Sequence, residues 1–142
     1  MKSIWLTRSL AQNLQLEEQL KVYNFRFINH PLITYTDDNE VFSSDIFSKY
    51  TNIVVTSKHA AARIANSCSA PENNEYICAW VVGSNSANIL RNAGFQVKFA
   101  AMNVKHLLVN LPKLIYSNTV YLSGNIITQR LPIEIERLVI YN

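Results

Sequence analysis

Short apolar runs alternate along this chain with segments that carry helical patterns, and this alternation limits the fold more than any other feature. Ile53, Val54 and Val55 form one such run, and residues 76–82 form another. Strands that are apolar throughout need cover on both faces, which parallel strands connected through helices provide. The sequence therefore predicts an α/β fold, a parallel sheet with helices on both faces.

Predicted strands and helices alternate along most of the chain. Strands are expected at residues 3–8, 25–34 with an interruption at Pro31, 52–56, 76–82, 96–101, 118–122 and 133–141, the last from its alternating pattern. Helices are expected at 10–22, 58–67, 84–93 and 104–111, with one or two further turns at 126–131. Leu10, Leu14 and Leu20 are the expected apolar stripe of the first helix.

Several residues mark where the helices begin and end. Ser9 and Gln12 have the spacing of a capping box, in which each side chain bonds the other's free backbone N–H. Ser57 and Asn103 are expected N-caps, and Gly94 stands where a left-handed C-cap is expected. These signals agree with the alternation of strands and helices.

Composition excludes several classes of function. Only three glycines occur, so neither a dinucleotide-binding nor a phosphate-loop motif can be written. Two cysteines ten residues apart, with no ligand cluster around them, give no reason to expect a metal. A formal charge of +3 suits an anionic ligand but is too small to indicate nucleic acid. No cofactor and no metal are expected.

The chain has no segment typical of export or of a membrane span. A second positive charge follows only three apolar residues at the N-terminus, which is too short for a signal-peptide core. The long uncharged stretch 76–90 contains several Ser and Asn residues and does not have the character of a membrane span. A cytoplasmic location is the expectation.

Polar side chains cluster where the predicted strands end. In a parallel sheet these ends form the ligand site, and helix N-termini there favour anions. A site built from hydroxyls, amides and cations suits carboxylates or phosphates and does not suit redox chemistry. The candidate binding residues are Thr7, Arg8, Thr56, Ser57, Lys58, His59, Gly83, Ser84, Asn85, Ser86, Ser123, Gly124 and Asn125.

The order of these motifs resembles the uroporphyrinogen-III synthase family. The family's L-T-R, P-L-I and T-S motifs are matched by residues 6–8, 31–33 and 56–57, the last followed by an Ala-rich helix. Its V-G-x-x-T-A, G-F/L-x-V, G-N and V-Y motifs are matched by 82–87, 94–97, 124–125 and 140–141. Ser9 replaces the usual Pro and Ser86 the usual Thr. No single motif is specific, but the ordered series spans the whole chain.

The resemblance implies a fold of two α/β domains with the substrate in the cleft between them. It also implies cyclisation of hydroxymethylbilane, a linear tetrapyrrole, to uroporphyrinogen III, with loss of water, inversion of one ring and no cofactor. Tyr141 matches the family's tyrosine that assists hydroxyl loss; an ordinary strand tyrosine is the alternative. The other candidates would bind substrate carboxylates, or else serve only as caps and turn residues. Neither nucleic acid nor a membrane is an expected partner.

One departure of the chain from the family matters more than the rest. The chain ends one residue after the V-Y motif, so the resemblance implies a short, C-terminally incomplete member. Residues 1–35 would be a strand–helix–strand (βαβ) half of the first domain, and 36–142 a second, flavodoxin-like α/β domain that ends in the strand crossing back. A second copy or a complementing fragment is expected to cover the first part, and a stable monomer by light scattering would count against this. An inactive anion- or partner-binding remnant and an unrelated flavodoxin-like domain are the alternatives.

Overall fold

A computed structural model describes residues 1–36, 42–68 and 71–142. The chain divides into two compact units, Met1–Thr36 and Asp37–Asn142. Both contain parallel strands connected through helices, which confirms the predicted α/β fold.

The first unit is a single strand–helix–strand element. Strands β1 (Lys2–Leu6) and β2 (Phe25–Asn29) pair in parallel, and helix α1 (Leu10–Leu20) connects them. Asn13 is the buried residue of α1. Its side chain donates to the Leu6 carbonyl at 2.7 Å and accepts from the Arg8 N–H at 3.0 Å. The turn between β1 and α1 is thus held by one buried amide.

Two sequence predictions about α1 are wrong. Ser9 makes no side-chain cap; its hydroxyl donates instead to the Gln12 side chain. Leu10 and Leu14 are 54% and 53% exposed, so they form no buried stripe. The only sheet in this unit has two strands, which give α1 little surface to pack against.

Strand β2 is shorter than predicted. Past Asn29 the His30 N–H donates to the Leu6 carbonyl and the Leu32 N–H to the Thr7 carbonyl, but Pro31 lies between them. Proline has no N–H to donate, so the strand ends there.

The second unit contains five parallel strands in the order β5–β4–β3–β6–β7. The strands are β3 (Asn52–Val55), β4 (Cys78–Val82), β5 (Gln96–Ala101), β6 (Thr119–Gly124) and β7 (Glu136–Tyr141). The helices are α2 (Lys58–Ser67), α3 (Ser84–Asn92) and α4 (Val104–Asn110), with 3-10 segments at Ser44–Ser48, Pro71–Asn73 and Lys113–Asn118.

Each face of this sheet has its own core. On one face Ile53 and Val55 pack with α2 and α3, a layer called here the α2 face. On the other, Val54 packs with Leu107 of α4, a layer called the α4 face. Successive side chains of a strand point to opposite faces, so the apolar run 53–55 supplies both cores. All three side chains are fully buried, and each contributes roughly 1.5–3 kcal/mol.

The helix boundaries of this unit were largely predictable. Ser57 accepts a hydrogen bond from the Ala60 N–H and Asn103 from the His106 N–H, so both predicted N-caps are confirmed. Gly94 has φ +88, as a left-handed C-cap requires. The predicted turns at 126–131 are wrong, because these residues form an irregular loop. Two adjacent isoleucines and a threonine disfavour helix, and Pro132 follows them.

An irregularity in strand β7 determines the face of the sheet on which its last two side chains pack. Ser123 pairs with Val139, but Gly124 pairs with Tyr141, so Ile140 is an extra residue in the ladder. Ile140 and Tyr141 consequently both pack on the α2 face, whereas a regular strand would turn one to each face. The Arg63 side chain donates to the Ile140 carbonyl at 2.7 Å.

Candidate functional site

A cavity of about 660 Å³ opens in the second unit, where β3, β6 and β7 end. Such strand ends are the usual ligand site of parallel sheets. The cavity is lined mainly by hydroxyl, amide and aliphatic side chains. The lining residues are Thr56, Ser57, Val82, Met102, Asn103, Val104, Lys105, Tyr121, Ser123, Gly124, Ile126, Ile127, Thr128, Gln129 and Tyr141.

Tyr141 is the most constrained of the predicted site residues in this cavity. Its hydroxyl lies 2.9 Å from the Ser57 hydroxyl. Its ring meets the His59 ring edge to face, with centroids 4.5 Å apart. A Cβ on Gly124 would lie 2.6 Å from the ring, so only glycine leaves the ring room. The side chain is 9% exposed and is therefore held in a defined position.

The hydrogen bond between Ser57 and Tyr141 can have either hydroxyl as its donor. Ser57 Oγ also accepts from the Ala60 N–H at 3.0 Å and keeps its own proton to donate. When Ser57 donates to the Tyr141 oxygen, it stabilises that oxygen against the loss of the phenol proton. The arrangement can therefore present an acid to a ligand and stabilise the oxygen that loses the proton.

Tyr121 forms a second pair of the same kind. Its hydroxyl lies 2.8 Å from the hydroxyl of Thr56. Tyr121 is 2% exposed, and its ring packs on the α4 face, opposite to Tyr141. Thr56 and Ser57 are consecutive, so adjacent residues after β3 each bond a phenol, one on each face of the sheet.

Among the described residues, the lining of this cavity includes one cation, Lys105, and no carboxylate. The remaining polar groups are hydroxyls, amides and backbone. Such a lining attracts anions, and a carboxylate that enters meets donors without meeting like charge.

Arg137 fixes the end of β6 beside the cavity. Its guanidinium donates to Ser123 Oγ at 2.8 Å and to the carbonyls of Gly124 and Asn125 at 2.6 and 2.9 Å. Ser123 in turn donates to the Gly124 carbonyl. The Ser123 hydroxyl is therefore already engaged in hydrogen bonds within the protein, and these bonds hold the end of β6 in place beside the cavity.

The beginning of β7 is held by a separate contact. Tyr50 donates to the Glu136 carboxylate, and Lys49 Nζ lies 3.1 Å from it. These two hydrogen bonds, that of Tyr50 first, lower the pKa of Glu136 below its ordinary value. Because the carboxylate is largely exposed, the contact sets the register of β7 more than it stabilises the fold.

The structure places some of the predicted site residues together and leaves others apart. Those that line the cavity are Thr56, Ser57, Ser123, Gly124 and Tyr141. His59 and Asn125 contact Tyr141 without lining the cavity: His59 through its ring, and Asn125 through an N–H that donates to the Tyr141 carbonyl at 3.1 Å. Their roles toward a ligand remain predictions.

The other candidates lie elsewhere. Lys58, Ser84 and Asn85 are exposed, and Ser86 is buried; none of the four is among the cavity's lining residues, and neither is Gly83. Thr7 and Arg8 follow β1 in the first unit and are exposed.

Sequence reasoning missed several residues of the cavity. Tyr121 stands in an apolar strand run and has the appearance of a core residue. Lys105 lies in the first turn of α4, where a positive charge is unfavourable with the helix dipole. This unfavourable position was the signal in the sequence that could have identified it as a binding residue. The loop residues 126–129 were missed because a helix was predicted there.

None of the helices in the described ranges has the length and apolar character that a bilayer crossing requires. Over the same ranges, no group of three or more His, Cys, Asp and Glu side chains is placed to hold a metal ion.

Comparison with known proteins agrees with the resemblance seen in the motifs. The family model described as uroporphyrinogen-III synthase HemD matches residues 15–140. The chain is also 37% identical over 144 residues to an uncharacterized protein of Rickettsia prowazekii (strain Madrid E). That match covers all of this chain and 49% of the relative, so the chain spans about half the length of the curated relative it matches. With most of its residues matched by the family model, the chain belongs to the uroporphyrinogen-III synthase family.

Proposed function

We propose that this cavity binds hydroxymethylbilane and that the chain acts in its cyclisation to uroporphyrinogen III, a step of tetrapyrrole (haem) biosynthesis. Family membership supports this reaction class, a lyase that releases water. The observation that carries the proposal is the phenol of Tyr141, held at the carboxyl edge of the sheet with its oxygen 2.9 Å from the Ser57 hydroxyl. Its location in a cavity whose described lining includes one cation and no carboxylate suits a polycarboxylate substrate.

The reaction requires two things of the protein: a general acid, and a cavity that holds the substrate in the conformation that reacts. The phenol proton passes to the substrate's terminal hydroxyl, the carbon–oxygen bond breaks, and water leaves. The azafulvenium cation that remains is electrophilic and is attacked by a carbon of the last pyrrole ring. For the inverted isomer, this ring's original bond to the chain then breaks and re-forms at its other α-carbon, and the proton lost from that carbon returns to the phenolate. Which carbon attacks is decided by how the chain is held, a task of proximity and orientation. Once Tyr141 has lost its proton, its oxygen can only accept, and Ser57, 2.9 Å away, stabilises the phenolate by donating to it.

The decisive experiment mixes the purified chain with freshly made hydroxymethylbilane and identifies the isomer. An excess of type III product over the spontaneous type I is expected. Y141F should lower the rate at least about tenfold, a loss of ~1.4 kcal/mol of transition-state stabilisation. Y76F is the matched control, since Tyr76 is 76% exposed and outside the cavity. Type I product alone would refute activity and leave an anion-binding domain that does not cyclise.

A further inference from the structure

The second phenol of the cavity, Tyr121, has no part in the reaction proposed above. It is 2% exposed, yet it lines the cavity together with its partner Thr56. A buried tyrosine hydroxyl normally has a hydrogen-bond partner, and Thr56 supplies one. Two hydroxyls that bond each other still hold one further proton and free lone pairs between them. The pair can therefore donate one hydrogen bond to a ligand oxygen.

The Thr56–Tyr121 pair and the Ser57–Tyr141 pair lie on opposite faces of the sheet, because Thr56 and Ser57 are consecutive residues after β3. Thr56 bonds a phenol on the α4 face, and Ser57 bonds a phenol on the α2 face. The cavity is lined by all four residues, so it reaches over the end of the sheet from one face to the other. A ligand that fills it must be extended and must present polar groups at two separate places.

The two ends of the cavity differ in charge. Lys105 belongs to α4, whose Leu107 packs in the same core as Tyr121. Asn103, the residue that caps α4, lines the cavity as well. The Tyr141 end has the neutral Ser57 and Gly124. Arg137 lies beside the other end, but it is not a lining residue and its guanidinium is engaged by Ser123 and by the carbonyls of Gly124 and Asn125. Among the described lining residues, those of the α4 end therefore combine a cation with hydroxyl donors, which is the donor set for a carboxylate.

We infer that Tyr121, Thr56 and Lys105 form a carboxylate-binding subsite that fixes the orientation of the substrate, while Tyr141 acts at the reacting end. This inference deepens the proposed function and rests on it for the identity of the substrate. The subsite sets affinity and orientation. The Tyr141 end sets the rate of water loss.

The first arm of the test separates binding from turnover. K105Q, Y121F and T56V are titrated calorimetrically with uroporphyrinogen III under anaerobic conditions. K105Q is expected to weaken binding about tenfold, the loss of one charge-assisted hydrogen bond, and Y121F and T56V by severalfold. Y141F should leave affinity within about twofold and lower the rate. K98Q is the matched control, because Lys98 is an exposed lysine of β5 outside the cavity.

The second arm uses succinate, a plain dicarboxylate, followed by amide chemical shifts. Shifts are expected at Thr56, Asn103 and Lys105 and should vanish in K105Q, whose spectrum also reports whether the variant is folded. Succinate binding there without tetrapyrrole binding would refute the proposed function and retain the subsite. Tetrapyrrole affinity that is equal in K105Q, K98Q and the unaltered chain, with no succinate shifts at these residues, would overturn the subsite alone.

Discussion

Replacing Gly124 with alanine tests how tightly Tyr141 is held. The new Cβ would lie 2.6 Å from two ring carbons and 2.9 Å from the phenol oxygen. Carbon atoms pack at about 3.5–4 Å, so the ring must retreat by about 1 Å. That movement stretches the 2.9 Å hydrogen bond to Ser57 to about 4 Å, beyond bonding distance.

The free-energy cost has two parts. Overpacking of a close-packed site costs about 1–3 kcal/mol. The broken hydrogen bond adds about 1 kcal/mol. G124A should therefore lower the free energy of unfolding of the second unit by about 2–4 kcal/mol, and the rate of type III product formation should fall with it.

Urea unfolding measures this change, and tryptophan fluorescence reports it. A W5F background leaves Trp80 as the reporter of the second unit; Trp5 is an exposed residue of the first. The matched control is G83A. Gly83 has open space around its Cα but φ +92, so alanine there is strained by its backbone and has no neighbouring ring to displace.

A double-mutant cycle decides the reasoning. In G124A/Y141A the alanine at 124 meets no ring. The double variant should therefore lose at least about 1 kcal/mol less free energy of unfolding than the two single variants lose in sum. G83A/Y141A should be additive. If G124A/Y141A is additive too, contact with the ring is not what requires glycine at position 124.

Three further predictions concern other parts of the chain. N13A removes the donor to the Leu6 carbonyl and the acceptor of the Arg8 N–H, and leaving them unsatisfied should cost the first unit about 2 kcal/mol or more, measured by hydrogen exchange of the β1 amides; N13D, which keeps the acceptor, should cost less. R63M leaves the Ile140 carbonyl without its donor and should cost about 1–3 kcal/mol in urea unfolding, whereas R91M, at an exposed residue of α3, should cost little. Burial raises the pKa of the Cys68 thiol to about 11, so at pH 8 iodoacetamide should alkylate it about a hundredfold more slowly than an unfolded thiol. That rate should climb through pH 10–11, and a rate in the native chain equal to that in urea would contradict the prediction.

The sequence predicted those features of the fold that local chemistry decides. Ser57 and Asn103 cap their helices because a hydroxyl or amide before a helical run satisfies free N–H groups wherever it occurs. The uninterrupted apolar character of 53–55 required cover on both faces of the sheet. Tyr141 could be singled out because its motif follows the others in the family's order.

What could not be predicted depends on pairing between distant segments. Tyr121 faces the cavity only because β6 lies beside β3 in a register that brings its hydroxyl to Thr56. Leu10 and Leu14 have helical spacing, but no second layer is placed over them within the first unit. Asn13 appears as an ordinary polar helix residue until the turn after β1 brings two backbone groups to it.

The extra residue in β7 links two positions that are distant in the sequence. Ile140 adds a fully buried side chain, and its carbonyl takes a hydrogen bond from Arg63, 77 positions away. A β7 without this residue would still bring its final tyrosine opposite Gly124, on the same face as Leu138. Among homologues we therefore expect the length of this strand and the arginine of α2 to change together, while the tyrosine and the glycine vary independently of both.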